Sequence, residues 1–170
     1  MVKHSVGGHH FRGTQHDDYI HTGRGNDVIN GRGGDDFINS GRGNDRVRGG
    51  SGDDTIKSGR GNDRVAGGSG DDTISAGRGN DFVSGGSGDD VINGGSGNDY
   101  IRGGSGNDTI APGSGRNRVD GGSGYDTLVL EGERHDWRPG QDTQGDYFQN
   151  NHNTDRTYHT GIEEVRFTDE

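Results

Sequence analysis

Aliphatic side chains recur at every ninth position of this chain, each in a short segment that follows six residues rich in glycine. The three-residue segments alternate as strands do, with the aliphatic side chain directed inward, whereas the glycine-rich segments predict turns. A fixed period of this length is typical of a solenoid, in which each repeat packs only against its neighbours. The thirteen aliphatic positions are Ile20, Ile29, Ile38, Val47, Ile56, Val65, Ile74, Val83, Ile92, Ile101, Ile110, Val119 and Leu128.

The period divides the chain into three parts. Thirteen nine-residue units occupy residues 13–129 and follow a short polar lead at residues 1–12. Residues 130–170 lack the period, and we expect them to form a C-terminal cap over the open end of the solenoid. Around and within that cap, residues 127–130 and 161–167 alternate as strands do, whereas Pro139 and residues 149–157 predict loops.

The units also alternate in composition. Counted from Gly13, odd units hold twelve Asp against Arg32 and Lys57, whereas even units hold six Asp against ten Arg. One nine-residue unit makes only one turn and one short strand, so two units make one coil of 18 residues with two unlike sides. The sequence therefore predicts an all-β fold, a parallel β-roll in which strands from alternate units stack into two facing sheets.

The composition indicates that a hydrophobic core cannot stabilise this fold by itself. Only 21% of the residues are hydrophobic, 38 are Gly, and the net charge is −10. Such a chain buries too little apolar surface to offset its backbone entropy. The chain has no Cys, so disulfides cannot supply the difference. Residues 1–12 contain no apolar run, so we expect neither a cleaved signal peptide nor a membrane span there.

The sixth position of the unit supplies a chemistry that can stabilise the roll. It is Asp in twelve units, and Asn117 is the exception. In a roll these carboxylates stack along two edges beside loop carbonyl groups, which gives many hard oxygen ligands of the kind that Ca²⁺ prefers. Neither Cys nor His recurs in the frame, which argues against Zn²⁺ or copper. The predicted ligands are Asp18, Asp27, Asp36, Asp45, Asp54, Asp63, Asp72, Asp81, Asp90, Asp99, Asp108 and Asp126.

The repeated unit resembles the hemolysin-type RTX nonapeptide G-G-x-G-x-D-x-U-x, where U is aliphatic. Every fixed position of that motif is matched at residues 49–57, 67–75, 85–93, 94–102 and 103–111. The cap resembles the segment that follows such arrays in secreted bacterial proteins, with D-x-L-x-L at residues 126–130 and G-I-E-x-V-x-F at residues 161–167.

This resemblance implies a right-handed β-helix solenoid that folds on binding Ca²⁺ outside the cell after type I secretion. Each ion would lie between neighbouring loops of one edge, held by two sixth-position Asp residues and by backbone carbonyl groups. Because each ion is shared by two neighbouring loops of one edge, the thirteen loops of the two edges provide at most about eleven sites. The first unit, with Thr14 and His16, and the twelfth, with Pro112 and Asn117, depart from the motif, so we expect their sites to differ most from the family pattern.

Several functions remain compatible with these features. The first is a calcium-binding module for secretion, folding or binding, without catalytic activity and monomeric. The chain has no H-E-x-x-H and no G-x-S-x-G motif, so we do not predict an enzyme. The alternative is an accessory module that binds a polysaccharide or another anionic polymer through the Arg-rich even units. Nucleic acid is not the expected partner. An ice-binding surface and a part of a larger secreted enzyme or toxin are weaker alternatives.

Overall fold

The computed structural model describes residues 2–6 and 9–169, with side chains from His9 onward, and these residues form two parallel β-sheets. Apart from one 3-10 turn, Arg134–Asp136, every regular element in this part of the chain is a strand. The strands of the first half are β1 Val2–Val6, β2 His10–Arg12, β3 Tyr19–Arg24, β4 Val28–Gly33, β5 Phe37–Arg42, β6 Arg46–Ser51, β7 Thr55–Arg60, β8 Arg64–Ser69, β9 Thr73–Arg78 and β10 Phe82–Ser87. The remaining strands are β11 Val91–Ser96, β12 Tyr100–Ser105, β13 Thr109–Ala111, β14 Arg116–Ser123, β15 Thr127–Leu130, β16 Trp137–Asp142, β17 Gly145–Asn150, β18 Arg156–Thr160 and β19 Glu164–Phe167.

Strands alternate between the two sheets along the chain. One sheet has the order β1-β3-β5-β7-β9-β11-β13-β15-β19, and the other contains β14-β12-β10-β8-β6-β4-β2 in its repeat region. Neighbouring strands are parallel and 18 residues apart in register, as in the pairing of Ile56 with Ile74. The predicted two-sheet roll with 18 residues per coil is therefore confirmed.

The strands are longer than the sequence predicted. Most span six residues, so the first three positions of each unit, expected in the loop, continue the preceding strand. Glycine is required at the first of these positions by close stacking and at the second by a positive φ, as at Gly68 with φ 139°. A Cβ at Gly67 would collide with the carboxylate of Asp72 and approach the carbonyl oxygen of Gly85. Only three residues, such as 70–72, connect one strand to the next.

The core between the sheets is thin. Each sheet contributes one row of eighth-position aliphatic side chains, all at most 3% exposed. The other inward position of each strand is the first residue of a unit, which is mostly Gly, Ser or Thr. Because so little apolar surface is buried, the roll depends on the loops for the rest of its stability.

The C-terminal segment extends both sheets before it changes direction. Strand β19 adds a parallel rung to β15, and β18 adds one to β14, whereas β17 and β16 pair antiparallel beyond β18. The prediction of a loop at Pro139 was wrong, because Pro139 lies in β16. That strand is the edge of its sheet, where a residue without an N–H is tolerated. The boundary at residue 130 stays a prediction, since β15 ends there without a separate domain beginning.

The polar lead also pairs with the roll. Strand β1 is parallel to β3, and β2 is parallel to the first half of β4. Rungs therefore precede the first complete nonapeptide at Gly13, and the boundary predicted at residue 12 stays untested as a domain limit.

Candidate metal centre

The three-residue loops form two edges of the roll, and each loop ends in a sixth-position Asp. Loops of odd units, such as 52–54 and 70–72, lie on one edge, which we call the acidic edge. Loops of even units, such as 43–45 and 61–63, lie on the other, which we call the arginine edge. All twelve sixth-position Asp side chains are buried, at most 7% exposed. The fold therefore brings the predicted residues into two continuous rows.

One carboxylate oxygen of each Asp bonds to the neighbouring coil. The backbone N–H of Asp54 donates to Oδ1 of Asp72 at 2.8 Å, and the N–H of Asp72 donates to Oδ1 of Asp90 at the same distance. The same bond recurs every 18 residues along both edges. These bonds satisfy loop N–H groups that the parallel sheets do not reach.

The second carboxylate oxygen, Oδ2, is buried and lacks a hydrogen-bond partner in eleven of the twelve Asp residues. Burying a charged oxygen without a partner costs free energy that the fold must recover elsewhere. Oδ2 of Asp72 and the carbonyl oxygen of Gly85 both lie close to the position that a Cβ of Gly67 would occupy. Two acceptors thus face each other with no donor between them. The eleven residues are Asp27, Asp36, Asp45, Asp54, Asp63, Asp72, Asp81, Asp90, Asp99, Asp108 and Asp126.

Burial shifts the protonation of these carboxyl groups. Desolvation is the largest cause and raises the pKa of Asp72 to about 7, although the hydrogen bond from Asp54 lowers it and the neighbouring carboxylates raise it further. Desolvation likewise raises the pKa to about 6 at Asp45, Asp54, Asp81, Asp90 and Asp108. The ionised row is therefore unfavourable unless a positive charge or a proton lies at Oδ2.

Asn117 shows what the second oxygen faces. Its Oδ1 accepts a hydrogen bond from the N–H of Asp99 at 2.9 Å, as the carboxylates do. Its Nδ2 takes the place of Oδ2 and donates to the carbonyl oxygens of Pro112 at 3.4 Å and Gly113 at 3.1 Å. The amide nitrogen thus lies where the carboxylates of the other loops have Oδ2, and it donates to carbonyl oxygens of its own unit.

The ends of the two rows are closed by other groups. Oδ2 of Asp18 accepts from the N–H and the hydroxyl of Thr14 at 2.6 and 2.9 Å, and the N–H bond is the main cause that lowers its pKa. At the other end of the acidic edge, the N–H of Asp126 donates to Glu163. On the arginine edge, the N–H of Gly115 donates to Asp155, in place of the third-position carbonyl group that accepts the equivalent bond in earlier coils. Sequence reasoning missed Glu163 and Asp155, because neither lies in the repeat frame.

A second row of hydrogen bonds, also missed, involves the fifth position of the loop. The N–H of Asp71 donates to Oδ1 of Asp53 at 2.8 Å on the acidic edge, and the N–H of Asn62 donates to Oδ1 of Asn44 at 2.8 Å on the arginine edge. Asp and Asn share this oxygen and differ in charge. The repeated choice of Asp or Asn at this position was the signal that could have revealed the row.

The donor set fits a hard cation. No three His, Cys, Asp or Glu side chains converge on one point among the residues that the structure describes. A cation at Oδ2 would therefore complete its shell with backbone carbonyl groups, which suits Ca²⁺ better than a metal that requires nitrogen or sulfur ligands.

The repeat region also matches a known family. The model for the RTX calcium-binding nonapeptide repeat matches residues 12–47, 48–83, 75–110, 84–119 and 93–128, which together span residues 12–128. The chain belongs to this RTX repeat family. No similar protein is found among curated proteins.

Membership in the RTX family supports calcium binding by the loops. RTX repeats are typically non-catalytic and typical of secreted proteins. The described part of the chain contains no helix with the length and hydrophobicity needed to cross a membrane.

Proposed function

We propose that this chain is a calcium-dependent folding and binding module. It is disordered without Ca²⁺ and folds outside the cell on binding about ten ions, up to eleven. The eleven Asp residues with an unpartnered Oδ2 are the proposed side-chain ligands, and Asp18 makes the weakest contribution because Thr14 already satisfies it. Secretion by a type I route, a monomeric state and the lack of catalytic activity belong to the same proposal.

One observation carries this proposal, namely the row of buried Oδ2 atoms that lack a hydrogen-bond donor. A thin core and many glycines leave the ion-free chain with little to offset its conformational entropy. Bound Ca²⁺ would neutralise the rows and link neighbouring coils, so the free energy of binding becomes free energy of folding.

A calcium titration followed by circular dichroism and native mass spectrometry tests the proposal. At pH 8 we expect no β signal in excess chelator, a cooperative gain of β signal with Ca²⁺, and a folded species that retains about ten ions. Mg²⁺ at the same concentration should not produce the fold, since it binds reluctantly to sites that require dehydration. An equal β signal in chelator and in millimolar Ca²⁺ would falsify the proposal.

A second candidate function is binding of an anionic polymer, such as an acidic polysaccharide, by the Arg-rich surface. Arg24, Arg42, Arg60 and Arg78 end successive strands of one sheet and line an open groove of about 570 Å³. Beyond the loops of the same edge, exposed Arg46, Arg48, Arg64 and Arg118 lie on the other sheet. Arg102 is engaged with Asp120 at 3.3 Å. A row of guanidinium groups at the spacing of parallel strands, about 4.8 Å, would suit a regular polyanion.

Retention of the Ca²⁺ form on heparin and alginate columns tests this second function. We expect the variant Arg42→Ser/Arg60→Ser/Arg78→Ser to elute at lower salt than the native chain, because it loses three of the guanidinium groups. A matched variant with Ser in place of Arg116, Arg134 and Arg138, which lie outside the groove, should elute later than the groove variant. Identical elution of the native chain and both variants would exclude the Arg groove as a binding site.

A further inference from the structure

We propose that the two edges of the roll carry two unequal sets of Ca²⁺ sites, and that the acidic edge binds first. This inference rests on the proposed function and specifies how its sites are filled. It concerns the coils between Asp17 and Asp90, where the loops of the two edges differ in charge.

Each loop of the acidic edge in this region carries two carboxylates. The inner one, as in Asp72, is buried with Oδ2 unpartnered. The outer one, as in Asp71, is exposed and fixed in place because its Oδ1 accepts the N–H of Asp89 at 2.8 Å. The same arrangement repeats along a continuous outer row that consists of Asp17, Asp35, Asp53, Asp71 and Asp89.

Each loop of the arginine edge has the same backbone bonds but a different charge. The outer residue is Asn, as in Asn62, whose Oδ1 accepts the N–H of Asn80 at 2.7 Å. The inner Asp63 is the only carboxylate of its loop, and exposed Arg60 precedes it at the end of β7. With the third position of the unit included, the formal charge of a loop is −2 on the acidic edge and zero on the arginine edge.

The affinity of an oxygen site for Ca²⁺ rises with the number of nearby negative charges. The two edges share their inner ligand and the hydrogen bonds of their loops, so they differ in charge and at the first position of the unit. That position is Gly on the acidic edge, whereas on the arginine edge the hydroxyl groups of Thr22, Ser40 and Ser58 donate to first-position carbonyl oxygens of the next coil. Those hydrogen bonds leave fewer free carbonyl oxygens on the arginine edge, so this difference favours the acidic edge as the charge does. An outer carboxylate in the loop attracts a divalent cation even without direct contact, whereas a guanidinium in the same loop repels it. The acidic edge therefore attracts Ca²⁺ more strongly.

The charge difference between the two edges ends near the C-terminal third of the array. Asn107 replaces Asp at the outer position of the acidic edge, and Ser96 replaces Arg at the start of the corresponding loop on the arginine edge. We thus assign the tight set to Asp36, Asp54, Asp72 and Asp90. The weak set comprises Asp27, Asp45, Asp63 and Asp81.

Isothermal titration calorimetry of the whole chain, with ions counted by native mass spectrometry, tests this order. We expect two classes of site in the native chain. The double variant Asp53→Asn/Asp71→Asn should raise the dissociation constant of the tight class about tenfold. It should keep the fold, because Asn occupies the same position on the other edge with the same hydrogen bond. The reciprocal variant Asn44→Asp/Asn62→Asp should tighten the weak class and bring the two classes together.

Three further variants separate local from general effects. Glu131→Gln/Asp169→Asn removes the same net charge at exposed positions outside the loops and should leave the tight class within about twofold of the native value. Asp54→Asn/Asp72→Asn should remove ions from the tight class, and Asp45→Asn/Asp63→Asn should remove ions from the weak class.

The inference fails if the native chain shows a single class of sites that Asp53→Asn/Asp71→Asn does not weaken more than the remote control does. It also fails if Asp45→Asn/Asp63→Asn depletes the tight class. A chain that binds no Ca²⁺ at all would instead overturn the proposed function, so the two failures are distinguishable.

Discussion

Adjacent Asp residues of one loop have different tasks in this protein. Asp71 is exposed and accepts a backbone N–H from the coil that follows it, whereas Asp72 is buried and accepts one from the coil that precedes it. Asn can replace Asp at the fifth position because the bond needs only the amide or carboxylate oxygen. At the sixth position Asn instead places a donor where a cation would lie. The choice between Asp and Asn at each position thus depends on the surroundings of Oδ2 or Nδ2, since Oδ1 accepts the same hydrogen bond in both.

Arg32 is the one described non-glycine residue with a positive φ, at 89°. It occupies the second position of its unit, where Gly is the rule. An L residue in this region costs about 1 kcal/mol. The cost is tolerated because β2 pairs only with residues 28–30 of β4, so no strand lies against Arg32 on that side.

We therefore expect Arg32→Gly to stabilise the calcium-loaded roll by about 1 kcal/mol, measured by urea unfolding in saturating Ca²⁺. Gly68→Ala at the equivalent position of an inner coil is the matched contrast. Its Cβ would collide with the carbonyl oxygen of Gly50, so we expect a loss of at least about 2 kcal/mol. A destabilised Arg32→Gly variant would contradict this account of the strain.

Asn117→Asp should create a new cation site. The substitution removes the donor to Pro112 and Gly113 and restores the oxygen-lined space of the other loops. We expect native mass spectrometry to count one more bound ion. In chelator, we expect any residual structure to be lost more readily. The reverse exchange on the same row, Asp99→Asn, should lower the count, and an unchanged count in Asn117→Asp would show that the amide does not occupy a cation site.

At the scale of the element, the coil of 18 residues is the repeating structural unit. Its two strands are held by parallel ladders, and its two loops are held by side-chain oxygens that bridge to the next coil. Each coil therefore contributes the same set of bonds, and one buried row of carboxylates runs along each edge. A row of this kind couples the stability of every coil to the charge of its neighbours.

The raised pKa values along these rows predict how the ion-free chain responds to pH. A proton on Oδ2 can donate to a facing carbonyl group as the Asn117 amide does. Because the folded-state pKa lies above the unfolded value, stabilisation by protonation is complete below the unfolded pKa of about 4 and is lost as pH rises through 6 to 7. We thus expect more β structure in chelator at pH 5 than at pH 8, measured by circular dichroism.

The two Asp residues of one loop provide the control for this pH dependence. Asp72→Asn removes a carboxyl group whose pKa is raised and should weaken the response. Asp71→Asn removes the same charge at an exposed position, where it is only a minor cause of the raised pKa of Asp90, and should weaken the response less. A chain equally unfolded at pH 5 and pH 8 in chelator would contradict the proposed role of the proton.

At the scale of the whole molecule, the roll has two unlike edges joined by two similar sheets. The acidic edge carries paired carboxylates, and the arginine edge carries single carboxylates beside a row of guanidinium groups. Ca²⁺ bound on both edges would neutralise the first and leave the second strongly positive. Binding of Ca²⁺ therefore changes which surface can attract a charged partner.

Electrophoretic mobility measures this change directly. The ion-free chain has a net charge of −10 and should move toward the anode at neutral pH. With about eleven bound ions the net charge becomes about +12, so in excess Ca²⁺ the chain should move toward the cathode. Persistent anodic migration in millimolar Ca²⁺ would mean that far fewer sites are filled than we propose.

The sequence by itself determined the coil, the two-sheet roll, the inward aliphatic row and the position of the sixth-position Asp residues. It could do so because the strand pairings and most loop hydrogen bonds of the array join residues 18 apart, so the period of the sequence is also the period of the structure. The family match at residues 12–128 has the same origin, since it detects that period.

Only the tertiary structure revealed the features that the nine-residue period does not encode. The strands are six residues long because the glycine-rich start of each unit continues the preceding strand, whereas the sequence indicates glycine only as a turn residue. Which carboxylate oxygen lacks a partner depends on the exact path of the neighbouring coil. Pro139 lies in an edge strand, and Glu163 and Asp155 accept N–H groups of the last loops, through contacts between segments that share no repeat. Such contacts are specific to one place in the chain, and only the folded arrangement of the segments reveals them.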